Sequence, residues 1–227
     1  YERRGHRYTL IDTAGVRRKS KVNETVEKFS IVKTLQAMKE AHVVIVVINA
    51  QEGLVEQDIK LIGRVIALGR GLIIAINKWD GLDDYQREMV EKAVDRQLVF
   101  ATFARRYYIS ALHGTAVGQL YTAINEANDS ASQELSTSAL TAALEKAIIM
   151  HQPPLAKGRR IKLRYAHLGD RHPLVIVIHG KQTKALPESY KRYLAGFFRD
   201  YFSIKGIPVS IVLKDDYNPY INGEKSE

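Results

Sequence analysis

Two unbroken apolar runs, residues 43–48 (Val-Val-Ile-Val-Val-Ile) and 72–76 (Leu-Ile-Ile-Ala-Ile), most constrain what this chain can fold into. A strand with no polar alternation must be covered on both faces, which is the signature of a parallel sheet flanked by helices. The surrounding pattern agrees. Phe29, Val32, Leu35 and Met38 recur at helical spacing and predict an amphipathic helix over 27–41. Further helices are predicted over 59–68, 85–100 and 116–127, with strands at 7–11 and 107–109. This strand–helix alternation over residues 1–130 predicts an α/β domain with a parallel sheet, whose ligand loops lie at the carboxyl ends of the strands.

Three short strings stand at those strand ends. They are Asp12-Thr13-Ala14-Gly15, Asn77-Lys78-Trp79-Asp80 and Ser110-Ala111-Leu112. Each alone fits an ordinary polar turn or helix cap. In this order, each after a hydrophobic run, they read as the loops of a guanine-nucleotide domain. A carboxylate at Asp80 can accept both the ring N1–H and the exocyclic N2–H of guanine, a pair that adenine does not offer. Asn77 is expected at the O6/N7 edge, tying neighbouring loops together, with the Lys78 stem over the purine face. Ser110 belongs to the third loop, whose Ala111 N–H is expected to donate to O6. At the phosphate end, Asp12 is expected to hold a Mg²⁺-bound water, while the Gly15 N–H meets the γ-phosphate, glycine allowing close backbone approach.

A phosphate loop of the form G-x-x-x-x-G-K-[S/T] is expected several tens of residues before the Asp-x-x-Gly string, and none of the 227 residues matches it. The chain therefore reads as a partial P-loop domain lacking the phosphate loop and first switch, inactive by itself. The residue after Gly15 is Val16, whose side chain cannot orient an attacking water. Arg17, Arg18, Lys19 and Lys21 form a basic switch loop that suits phosphates, RNA or simple solvation.

Charge divides the chain unevenly. Residues 135–227 hold 15 Lys/Arg against 8 Asp/Glu, a balance of +7, and residues 1–134 hold 19 against 17, a balance of +2. A basic module attached to a near-neutral nucleotide domain points to a polyanionic partner, RNA before membrane. A basic surface with no dedicated partner is the alternative. No apolar run approaches the ~18 residues that span a bilayer. The chain has no cysteine, which excludes disulfides and thiolate metal sites and fits a reducing compartment but also many others; the expected setting is cytoplasmic. The seven histidines lack zinc-site spacing and read as scattered side chains.

A small polar stretch, residues 128–133, reads as a linker, with the boundary placed at 131–135. Beyond it the pattern predicts a helix over 139–151 capped by Ser136 or Ser138 and stopped by Pro153-Pro154. Strands over 160–166 and 174–179, a helix over 188–202 and a strand over 208–213 follow. Residues 136–227 are thus a small α+β module with a three-stranded sheet.

Residues 12–22, 77–80, 151–167 and 186–194 together resemble the bacterial EngA (Der) GTPase family, across essentially the whole chain. The resemblance implies the later part of a second GTPase domain followed by a KH-like domain. It also implies GTP/GDP binding and hydrolysis, Mg²⁺, a potassium ion at the phosphate loop, and a role in assembling the large ribosomal subunit through rRNA under control of the nucleotide state. KH domains clamp RNA with a G-x-x-G loop, and no two glycines stand three apart in residues 135–227. Arg159, Arg160, Lys162 and Arg164 are the candidate RNA contacts instead. The rival reading is an RNA- or protein-binding module that does not load GTP.

Overall fold

The computed structural model describes residues 1–11, 33–156 and 158–215. They fall into two compact units, one within Tyr1–Ser130 with Lys205–Pro208, the other within Ala131–Ile204 with Val209–Asp215.

In the first unit, β3 (Val43–Asn49), β4 (Gly71–Asn77) and β5 (Arg105–Tyr108) form a parallel sheet in the order β3-β4-β5. The apolar runs behave as the sequence requires. Leu72, Ile74 and Ile76 of β4 pack with Met38 of α1 (residues 33–40), Ile62 and Val65 of α2 (Glu56–Ala67), and Val94 of α3 (Asp84–Gln97). The alternate residues Ile73 and Ala75 pack with Leu120 and Ala123 of α4 (Val117–Ser132) on the other face. Each fully buried leucine or isoleucine contributes about 1.5–3 kcal/mol, and β4, the strand that delivers Asn77, is the most deeply buried of the three.

Two expectations are corrected here. Residues 7–11 do not form the expected strand; the chain instead makes a short hairpin, β1 (Glu2–Arg3) with β2 (His6–Arg7), and Leu10 and Ile11 stay exposed without a ladder partner among the described residues. Tyr1, Arg3 and Tyr8 pack on Tyr121 of α4, and the Tyr8 hydroxyl donates to Asn125, so side-chain packing holds this segment. The polar stretch 128–133 is not wholly linker. Residues through Ser132 continue α4 because Ala127 and Ser130 are buried and the Ser130 hydroxyl donates to the Glu126 carbonyl one turn back.

In the second unit, α5 (Thr137–Met150) starts at Ser136, whose hydroxyl accepts the Ala139 N–H. The short strands β6 (Leu155–Ala156) and β7 (Arg159–Arg160) pair with each other. A mixed sheet then forms in the order β10-β9-β8 from β8 (Lys162–Arg171), β9 (Leu174–Lys181) and β10 (Val209–Asp215). β8 and β9 are antiparallel, whereas β10 runs parallel to β9 after the crossover helix α6 (Glu188–Tyr201). Ala166, Ile176 and Ile178 are buried on the helix-bearing face with Leu140, Leu144, Leu194 and Phe198 of α5 and α6. The Thr141 hydroxyl bonds both the N–H and the carbonyl of Ala166, satisfying part of the edge strand.

Candidate guanine-nucleotide site

The carboxyl ends of β4 and β5 are joined by a run of backbone bonds. The Ile109 N–H donates to the Ile76 carbonyl at 2.8 Å, the Trp79 N–H to the Ile109 carbonyl at 3.1 Å, and the Ala50 N–H to the Asn77 carbonyl at 2.9 Å. Lys78 turns the chain through the left-handed region, at φ 66°, into a single helical turn over Trp79–Gly81. Asp83 then caps α3, accepting the Gln86 N–H while the Gln86 side chain accepts the Asp83 N–H. The Trp79 ring lies 4.3 Å from that of Tyr108, with the Arg87 guanidinium 5.9 Å from its centroid. Strand end, turn and helix cap therefore fix Asp80 from both sides.

Asn77 and Ala111 meet. The Ala111 N–H donates to Asn77 Oδ1 at 2.9 Å and ties the two loops together. It also modifies the expectation for Ala111, whose N–H is already engaged. Serving guanine O6 would require sharing that donor or exchanging it. Lys78 is exposed at the mouth of the two loops.

Asp80 and Ser110 also meet. The hydroxyl of the buried Ser110 donates to the Asp80 carboxylate and is the leading reason that this carboxyl lies below its ordinary range; the Asp80 N–H and His113 act the same way against a partial desolvation. His113 Nε2 is 3.5 Å from Asp80 Oδ2, and the His113 N–H donates to Ser110 Oγ at 3.2 Å. Sequence reasoning missed His113, since nothing in its spacing marks it as a neighbour of Asp80. Burial pushes the Tyr108 phenol up, with the nearby Glu91 and Asp95 adding to it.

These groups form a preset acceptor. An ionised carboxylate held by a hydroxyl, beside an amide tied to the neighbouring loop, suits a base edge that presents two adjacent N–H donors. Ser110→Ala removes the leading cause of the Asp80 shift, so the carboxyl should move up toward the ordinary aspartate value of about 3.9. Because the folded value is depressed, its stabilising contribution is present above the unfolded value and disappears as pH falls through the folded one. The variant should therefore lose this contribution at higher pH than the parent, read as the midpoint of the Asp80 carboxyl carbon in an NMR titration. An unmoved midpoint would remove Ser110 from the account.

Asp12 and Gly15, with Val16, Arg17, Arg18, Lys19 and Lys21, lie outside the described residues. Among the described residues no group of three or more His, Cys, Asp or Glu is arranged to hold a metal ion, and no helix is long and apolar enough to cross a membrane. Arg159 and Arg160 are exposed on β7, and Lys162 and Arg164 are exposed on β8, where a register shift between residues 163 and 165 separates them.

A family model for the elongation factor Tu GTP binding domain matches residues 1–130. A second, for the KH-domain-like C-terminal region of EngA bacterial GTPase enzymes, matches residues 134–214. The chain belongs to the EngA (Der) GTPase family. GTPase Der of Coxiella burnetii (strain Dugway 5J108-111) is 58% identical over 225 residues, covering 99% of this chain and 51% of that protein. GTPase Der of Methylococcus capsulatus is 52% identical over 227 residues, covering 100% and 49% respectively. The chain spans about half the length of the curated relatives it matches. Among solved structures, a variant of Aquifex aeolicus Era bound to GDP.AlF4- covers 88% of this chain and 74% of its own at 14% identity and a TM-score of 0.39, too slight a likeness to carry an argument.

Proposed function

We propose that these residues are the base-reading and RNA-contacting part of a cytoplasmic GTPase that assists assembly of the large ribosomal subunit, its affinity for the particle set by GTP or GDP. The observation that carries this reading is the preset acceptor, Asp80 held by Ser110 beside the Asn77–Ala111 bond. Family membership and relatives named GTPase Der support the nucleotide half. The +7 balance of residues 135–227 supports the RNA half.

Residues 1–130 would act as the GTPase part and 136–227 as the KH-like part, with 133–135, beyond the end of α4, as the linker. Asn77, Lys78, Asp80, Ser110 and Ala111 would read the base, and Asp12 and Gly15 the phosphate end. Mg²⁺, when bound, would screen the phosphate charges, with Asp12 holding one of its waters; a potassium ion would belong to the same end. Arg159, Arg160, Lys162 and Arg164 would meet rRNA phosphates.

The test is co-sedimentation of the full-length protein with purified large subunits. Association should be at least about tenfold stronger with a non-hydrolysable GTP analogue than with GDP, a coupling of about 1.4 kcal/mol or more. Equal association in both states would overturn the nucleotide control. The second reading is an RNA- or protein-binding module that does not load GTP. Calorimetry of the full-length protein with GTP and Mg²⁺ separates the two, micromolar binding excluding the second.

A further inference from the structure

The register of the second sheet assigns its residues to faces. Pairing Lys162 with Lys181, Tyr165 with His179 and His167 with Val177 puts all six side chains on the face away from α5 and α6. Parallel pairing of Lys214 with His179 and Val212 with Val177 adds two more. The face therefore has a cationic end of three lysines, a central ring cluster, and a valine patch beyond it. Tyr165 and Val212 are each 40% exposed.

The rings are closely arranged. Tyr165 stacks on His179 at 4.5 Å between centroids, only 6° from parallel, while His167 meets His179 edge-on at 5.2 Å. His167 Nδ1 and His179 Nε2 are both shielded from solvent and have no hydrogen-bond partner among the described residues. Such nitrogens are costly when buried, and what the cluster offers outward is the exposed Tyr165 ring rather than a polar edge. The one carboxylate in register at the far end, Asp170, is occupied by the N–H groups of Arg171 and His172.

We propose that this outer sheet face is a stacking platform for the bases of single-stranded RNA, with Lys162, Lys181 and Lys214 meeting the phosphates. Flat rings with long cationic side chains beside them are what an unstacked nucleotide strand requires. Charge complementarity selects this occupant over an apolar protein segment, since three lysines border the rings. The proposal rests on the RNA reading above and deepens it by naming the surface and the strandedness.

The experiment uses the 227-residue chain with a labelled ten-nucleotide oligouridylate, followed by anisotropy between 50 and 200 mM salt, with a duplex of matched length as control. Tyr165→Ala should weaken binding about ten- to a hundredfold at an unchanged salt slope. Replacing Lys162, Lys181 and Lys214 together by Gln should reduce the slope by about two, at about 0.7 per phosphate on a single strand. His179→Phe, which keeps the stack, should stay within about threefold of the parent. The duplex should bind more weakly than the single strand. In the unmodified chain, the amide resonances of residues 165, 167 and 179 should shift on adding the oligonucleotide, which reads the platform without any substitution. Undiminished affinity in Tyr165→Ala, or shifts confined to residues 159 and 160, would overturn the platform. Binding of long rRNA with no binding of the oligonucleotide would overturn it too while leaving the RNA reading intact; binding of neither would remove both.

Discussion

Asp80→Asn in the full-length protein should exchange guanine for xanthine nucleotides, lowering GTP affinity by two to three orders of magnitude. The carboxylate is assigned two acceptor contacts with guanine N1–H and N2–H, and an amide presents one oxygen and one NH₂ in their place. Losing about 3–4 kcal/mol of charge-assisted pairing gives that factor. Xanthine carries a carbonyl where guanine has the exocyclic amine, so the introduced amide NH₂ regains a partner. The fold should be unaffected, because Asp80 is exposed and an amide oxygen can still accept the Ser110 hydroxyl. Competition between labelled GTP and unlabelled xanthosine triphosphate reads both halves. Retained GTP affinity with no gain for xanthine would remove Asp80 from the base site, and with it the observation on which the proposed function stands.

The parallel sheet and the loops at its carboxyl ends were legible because their signals are local. An apolar run such as residues 72–76 allows only a strand covered on both faces, and the Asn77–Asp80 loop follows it directly. The strand expected at 7–11 failed for the opposite reason, since a strand needs a partner edge that no local pattern supplies. The extension of α4 through Ser132 is likewise set by burial of Ala127 and Ser130, against a composition that reads as linker. His113 illustrates the limit at the site. Its approach to Asp80 is set by the turn after β5, where Ser110 pairs with Thr115 across a bridge, and no spacing in the sequence encodes that closure. Of the four basic residues at 159–164, Lys162 pairs with Lys181 on the ring-bearing face, while Arg164 stands at the register shift between Leu163 and Tyr165.

Gly180→Ala should be the most disruptive single methyl in the second unit. Gly180 pairs with Leu163 where β9 meets β8, and a Cβ there would lie 2.0 Å from the Lys162 carbonyl oxygen and 3.0 Å from both the Lys162 carbonyl carbon and Thr183 Cγ2. The first neighbour is backbone, so no rotamer change relieves it. The third is fixed as well, because Thr183 is fully buried and gives both its N–H and its hydroxyl to Asp215 Oδ1, at 2.6 and 2.8 Å. Relief requires the two strands to part, and the cost should be about 3–4 kcal/mol, at the upper end for overpacking. For a unit of this size each kcal/mol lowers the melting point by roughly 4–8 °C, so its transition should fall by about 12–30 °C. The chain carries a single tryptophan, Trp79, and it lies in the first unit. Tryptophan fluorescence should therefore keep its melting point while circular dichroism develops an early second transition. Parting β8 from β9 also separates Tyr165 from His179, so the variant should lose oligouridylate binding above the new transition and keep the Asp80 titration. A Gly180→Ala chain melting within about 3 °C of the parent would contradict the β8–β9 register, and the assignment of Lys162, Tyr165 and His179 to one face would fall with it.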